Sequence, residues 1–161
     1  MASPDRTPAG AYRVADVALR DLAPHNRARV HWPAPCADRT VAALVVLFST
    51  DDDLVGELIA RLGAVVLTVS AAHAFEAFAV LSWATDHAAE LGVDAARIAV
   101  VGDGAGAALA ERVAELAADE GWPPLRHVAL IWPHDHPATA LDGLTRALAV
   151  PTRRPSDRSA R

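Results

Sequence analysis

Lysine is missing from this 161-residue chain, whose fifteen basic residues are all arginine. Twenty acidic residues outweigh them and set the formal net charge at −5, so there is no basic footprint for nucleic acid or an anionic membrane. Cysteine occurs once, at Cys36. A lone cysteine excludes an internal disulfide and fits a reducing cytoplasm. Aromatic residues make up only 5% of the chain, which leaves Ala, Val and Leu to fill the interior. No apolar run reaches the ~18–20 residues that span a bilayer. The opening MASPDRTPAG lacks the apolar stretch of a signal peptide. The expectation is therefore a cytoplasmic protein without a membrane anchor.

Apolar residues amount to 52%, enough to exclude a disordered chain. The length suits one domain. It is read here as a flexible N-terminal segment (1–11), a single domain (12–150) and a disordered tail (151–161). Tyr12–Leu22 and Arg27–Trp32 read as two strands around a Pro24–Asn26 turn, followed by a Pro33–Thr40 loop. Val41–Phe48 is apolar without alternation, the pattern of a strand buried on both faces. Asp51–Asp53 then lead into Leu54, Leu58 and Leu62 at helical spacing, with Gly63 as the stop. Ala64–Val69, Arg97–Val101 and His127–Trp132 are further apolar strands. One helix is expected across Phe75–Leu91, another on the Leu109, Val113, Leu116 stripe, and a last one over Ala138–Ala149. Phe75, Phe78 and Trp83 are expected in the core. Apolar strands alternating with helices imply an α/β fold, a mostly parallel sheet of about six strands covered on both faces.

The most informative stretch is the strand RIAVV followed by Gly102-Asp103-Gly104-Ala105-Gly106 and a helix. A sharp strand-to-helix turn needs small residues because the two elements pack closely. Two chemistries use such a turn. The nucleophile elbow, G-x-S-x-G, raises a serine at a strained apex. The dinucleotide fingerprint, G-x-G-x-x-G/A, holds a pyrophosphate on backbone amides, and Gly102, Gly104 and Ala107 match it literally. A nucleotide-binding domain normally opens on that turn, whereas here two βα units precede it. The acidic partner expected about 20 residues on falls at Asp119 or Glu120, at a helix end rather than a strand end.

From Arg27 to Pro133 the chain resembles the hormone-sensitive-lipase-like esterases and lipases of the α/β-hydrolase superfamily. The phrases that carry the likeness are RVHWPA, VVLF, GAVVL, HAAELGVDAARIAVVGDGAGAALA and LRHVALIWP, in that order. The resemblance implies a GDSAGG elbow at Gly102–Ala107, and hence a serine nucleophile at the place held by Gly104. It also implies an HGGG oxyanion loop after VVLF, where this chain has Ser49-Thr50-Asp51. The family's YRLAPE-like stretch is shortened to Ser70–His73, and the catalytic Asp and His would lie beyond Pro133. The reading is a truncated α/β-hydrolase fold with a vestigial elbow and oxyanion loop. Its expected function is that of a degenerate, non-catalytic esterase-like protein. The alternatives are a weak or family-assigned ester hydrolase, and a nucleotide-binding domain using Gly102-Asp103-Gly104.

Other candidates carry less. Asp51, Asp52 and Asp53 most simply cap a helix. With Asp103 and His134-Asp135-His136 they would sit at carboxyl ends of neighbouring strands and could meet a divalent metal, although the spacing matches no ligand motif. No cofactor is expected. His73, Ser49 and Ser70 are remote candidates for leftover chemistry, and Cys36 reads as a free thiol. If strand order follows the family, 1-2-4-3-5-6, His127–Trp132 is an apolar edge open to a second copy or another protein.

Overall fold

A computed structural model describes residues 8–19, 27–36 and 41–149. The Pro24–Asn26 turn, part of the Pro33–Thr40 loop, and the segments 1–7 and 150–161 lie outside the described residues.

The observed elements are β1 (Ala11–Val17), β2 (Arg27–Pro33), β3 (Ala42–Phe48), α1 (Asp52–Leu62), β4 (Val65–Ser70), α2 (Ala74–Asp86), α3 (Ala88–Leu91), β5 (Val93–Asp103), α4 (Ala105–Glu120), β6 (Leu125–Ile131) and α5 (Pro137–Leu148). They build a six-stranded sheet of order β1-β2-β4-β3-β5-β6. β1 and β2 run antiparallel to each other, and β2 runs antiparallel to β4. β4, β3, β5 and β6 are mutually parallel. This is the six-stranded, mostly parallel sheet, in the order 1-2-4-3-5-6, that the sequence leads one to expect.

The apolar strands are buried on both faces, as their lack of alternation predicts. Leu44, Val46 and Phe48 of β3 point into one core with Leu67, Leu81, Ile98, Val100 and Val113, on the α2 and α4 side. Val45 and Leu47 point into the other with Leu58, Val66, Val101, Leu141 and Leu144, under α1 and α5. Small aliphatic side chains do most of this filling, and Phe48 is the largest fully buried one. Ahead of β1, residues 9–10 form a turn that brings the Ala9 backbone so near Gly56 that a Cβ there would lie 2.9 Å from the Ala9 oxygen.

Several boundaries move for local reasons. The helix expected across Phe75–Leu91 divides at His87 (φ −101°, ψ 20°). There the imidazole stacks on Trp83, with ring centroids 4.7 Å apart, and its Nδ1 lies 2.8 Å from the Trp83 carbonyl oxygen. β5 is longer than Arg97–Val101 because it takes in Val93–Ala96 through an irregularity in its pairing with β3 and runs on through Gly102 and Asp103; Asp94 Oδ1 accepts the Ala96 N–H within it, at 2.9 Å. β6 ends before Trp132, whose N–H donates to Asp135 Oδ2 at 3.0 Å instead of to a strand. Phe75 is not a core residue. It is 72% exposed, because α2 turns its buried stripe of Ala77, Val80, Leu81 and Ala84 inward and leaves the first-turn phenyl outside. Phe78 and Trp83 pack against the core only in part.

Candidate functional site

The carboxyl ends of β3, β4 and β5 converge on one cavity of about 470 Å³, lined among others by Phe48, Ser49, Asp51, Ser70, Asp103 and Gly104. Ligands bind at this edge in open α/β sheets. Its centre is the turn from β5 into α4. Gly104 holds φ 55° and ψ −118°, a conformation that side chains with a Cβ adopt only under strain. The turn is tied down by the Gly104 N–H donating to the Ile131 carbonyl at 2.9 Å, and by the Ala107 N–H donating to Gly104 at 3.1 Å.

The flanking glycines have a different task. A Cβ at Gly102 would stand 2.6 Å from the Ala110 methyl, and one at Gly106 would overlap the Phe48 carbonyl. They exist so that α4 can approach β5 and β3 closely. At Gly104 a Cβ would meet nothing within 4 Å: the apex faces open space, and the residue there has no side chain to put into it.

Across the cavity, the Ser49-Thr50-Asp51 turn is ordered by its own side chains. Ser49 Oγ donates to Asp103 Oδ2 at 3.3 Å and accepts the Asp51 N–H at 3.1 Å. Asp51 Oδ1 accepts the N–H groups of Asp53 and Leu54 at 2.9 and 3.4 Å, capping α1 as the sequence suggests. One backbone amide of this turn and two at the start of α1 are thus engaged by side chains, and two carboxylates, Asp51 and Asp103, border the apex, with no arginine among the described residues that line the cavity.

The structure brings Ser49, Thr50, Asp51, Asp103, Gly104 and Ser70 together and leaves the remaining candidates apart. His73 stands at the start of α2 without a side-chain cap bond and does not line the cavity. Asp135 and His136 border a separate groove beside β6, so they do not join Asp51 and Asp103. Asp52 faces a third hollow, with Arg27, Arg29, His31 and Thr68. Among the described residues no group of three His, Cys, Asp or Glu side chains could hold a metal ion. Cys36 is exposed and unpaired.

One notable residue had no sequence signal. His31 is 2% exposed. Thr68 Oγ1 donates to the Arg29 carbonyl at 3.2 Å, which leaves it to accept from His31 Nε2 at 3.3 Å; the Nδ1 has no partner among the described residues. Burial, reinforced by the Arg29 guanidinium, pushes the imidazole below its ordinary pKa against the opposing carboxylates of Asp52 and Asp16. A lone histidine in RVHWP gives no warning of this, because its depth is decided by α1 folding over β2.

A mostly parallel sheet with a glycine-flanked, positive-φ strand-to-helix turn at its carboxyl edge is the framework on which hydrolase-type α/β proteins are built. The chain belongs to the α/β hydrolase fold family, whose model matches residues 44–158. It is similar to Esterase LipI of Mycobacterium tuberculosis, with 31% identity over 156 residues covering 85% of this chain and 48% of that protein. It is 45% identical to Carboxylesterase NlhH of the same organism over 67 residues, covering 42% of this chain and 20% of NlhH. Among solved structures it matches a hyperthermophilic esterase from the archaeon Pyrobaculum calidifontis, with a TM-score of 0.65 and 28% identity over 74% of this chain and 45% of that one. The chain thus spans less than half the length of each of these proteins. Among the described residues no helix is long and apolar enough to cross a membrane.

Proposed function

We propose that this chain is a non-catalytic, esterase-like α/β-hydrolase protein that keeps the elbow backbone and has lost the nucleophile. The observation that carries this reading is Gly104, in a strained positive-φ conformation with open space around its missing Cβ. An acyl-enzyme requires an oxygen or sulfur nucleophile at the apex, and hydrogen cannot serve. The flanking groups support the same reading. Asp51 and Asp103 line the cavity where the parent chemistry would develop an oxyanion, and carboxylates there raise its energy. The loss of even one oxyanion donor costs about 3–4 kcal/mol of transition-state stabilisation. The one thiol, exposed Cys36, has no cysteine partner in the chain, and on that ground we assign the protein to the cytoplasm.

The test is p-nitrophenyl acetate hydrolysis together with intact-mass analysis after treatment with a serine-directed phosphonate. The expected result is hydrolysis at the buffer rate and no adduct. Gly104→Ser is expected to remain inactive, since the restored hydroxyl would still face Asp51 and Asp103. A phosphonate adduct on the unaltered chain, or turnover abolished by a single substitution at Ser49 or Ser70, would overturn the reading in favour of a working ester hydrolase.

A further inference from the structure

Toward β1 and β2 the α1 side of the sheet becomes polar. Arg27, Arg29 and His31 alternate along β2 with Ala28 and Val30, which enter the opposite core. The three polar residues border the third hollow, of about 300 Å³, to which β4 adds Thr68 and Ser70 and α1 adds Asp52 and Val55. Ser49 and Thr50 line this hollow and the elbow cavity alike. The turn that leads into α1 therefore touches both. His31 is the buried polar member of the group. Its Nε2–H is spent on Thr68, so the neutral ring carries a bare lone pair at Nδ1. That atom is closed to solvent and has no partner among the described residues. A lone pair tolerates such a place far better than the N–H of a cationic ring, whose charge and donor would both go unanswered.

A proton taken from solvent onto Nδ1 therefore forces a rearrangement, and the surroundings decide what yields. β2 is held on both sides, with His31 opposite Val14 of β1 and Val66 of β4. No backbone ladder ties α1 to the sheet, and its first turn is exposed at Asp52 and Asp53. The charged groups about the ring are Arg27 and Arg29 on its own strand, Asp16 on β1 and Asp52 on α1, while β4 brings only hydroxyls. Asp16 is engaged by Arg29 at 2.7 Å. That leaves Asp52 as the carboxylate able to answer a new N–H. It already draws the proton affinity of the imidazole upward, against the burial and the Arg29 charge that hold it below the ordinary 6.5. We infer that protonation of His31 shifts the first turn of α1 until Asp52 accepts the new Nδ1–H, and that the Ser49–Asp51 turn moves with it and reshapes the elbow cavity. The linkage runs through hydrogen bonds already present. Asp51 holds the Asp53 and Leu54 amides, and Ser49 joins the Asp51 amide to Asp103 beside Gly104. This acid-sensitive device is independent of whether the elbow is catalytic.

The test is a nitrogen-15 NMR titration of the 161-residue chain between about pH 7.5 and 5, where histidine changes charge. Ring-nitrogen shifts report the His31 tautomer, and backbone amides report residues 49–55 and Asp103. His31 is expected to be neutral with its proton on Nε2 at the upper end. Below the ordinary histidine range it should become doubly protonated, and the amides of 49–55 and Asp103 should move with the same midpoint. No other histidine lines the hollow, so His31→Gln should hold those amides still. Asp52→Asn is an exposed change that tests the inference without touching the buried ring. It should lower the His31 midpoint by about 1 unit, the low end for a carboxylate beside a cation, and diminish the movement of 49–55. Four results would each overturn the inference: a proton on Nδ1 at pH 7.5, a His31 that titrates while 49–55 stay fixed, amides that still move in folded His31→Gln, or a midpoint unchanged in Asp52→Asn. Collapse of the whole spectrum in acid, in place of a change confined to this region, would overturn it as well.

Discussion

Replacing Gly104 by alanine isolates the elbow backbone from every other feature of the site. At φ 55° and ψ −118° an alanine carries strain of about 1–3 kcal/mol. The stiffer unfolded chain returns about 0.4–1 kcal/mol of that. Packing adds nothing on either side, because a Cβ here meets no atom within 4 Å. Taken at the middle of each range, the net loss is about 1–2 kcal/mol. For a chain of this size each kcal/mol lowers Tm by about 2–4 °C, so the expected drop is about 2–8 °C. Equilibrium urea denaturation should show the same loss as a lower midpoint with an unchanged m-value, and Gly104→Ser should match it. A Gly104→Ala variant as stable as the parent, or more so, would refute the reasoning, for it would mean that the turn does not hold the elbow conformation.

Three other perturbations probe the surrounding framework. Asp51→Ala removes the acceptor for two amides at the start of α1 and should cost about 0.5–2 kcal/mol, measured by urea denaturation. Gly106→Ala drives a methyl into the Phe48 backbone, where no rotamer change can relieve it. It should cost several times more than Gly104→Ala and leave little cooperative thermal transition in calorimetry. The third concerns pH. Folding holds the His31 imidazole below its ordinary value, so the unfolded chain binds its proton first as pH falls. The His31 contribution is full above the ordinary value near 6.5 and is lost progressively beneath it, until the lowered folded-state value is passed. The slope within that window is at most about 1.4 kcal/mol per pH unit. His31→Gln should flatten stability against pH between 7 and 5 in parallel denaturation curves; an unchanged slope would sink this account.

Much of the fold was legible because its signals are local. VVLF and RIAVV are apolar without alternation, and only a strand covered on both faces tolerates that. Asp51, the Leu54–Leu58–Leu62 stripe and Gly63 mark both ends of α1, and Gly63 does take the left-handed cap (φ 55°, ψ 29°). The tight strand-to-helix turn was legible too, since three glycines between a strand and a helix have few uses. Other features were not. Phe75 looked like core because helical spacing places it on a stripe with Phe78 and Leu81, but spacing does not say where the stripe ends. The split at His87 depends on stacking with Trp83, a contact that exists only once the helix has formed.

The order of amino acids alone decided the alternation of strands and helices, the glycines of the turn, and the bare hydrogen that Gly104 carries as its side chain. These follow from short-range sterics and from the apolar period of each segment. Assembly decided the rest. Ser49 meets Asp103 from 54 residues away because β3 and β5 lie side by side in the sheet. Asp135 and His136 part company with Asp51 because the turn after β6 opens toward α5. His31 loses its water because α1 crosses β2. Which side chains share a cavity is a property of strand order and helix placement, set by the packing of two whole cores rather than by any stretch of sequence read on its own.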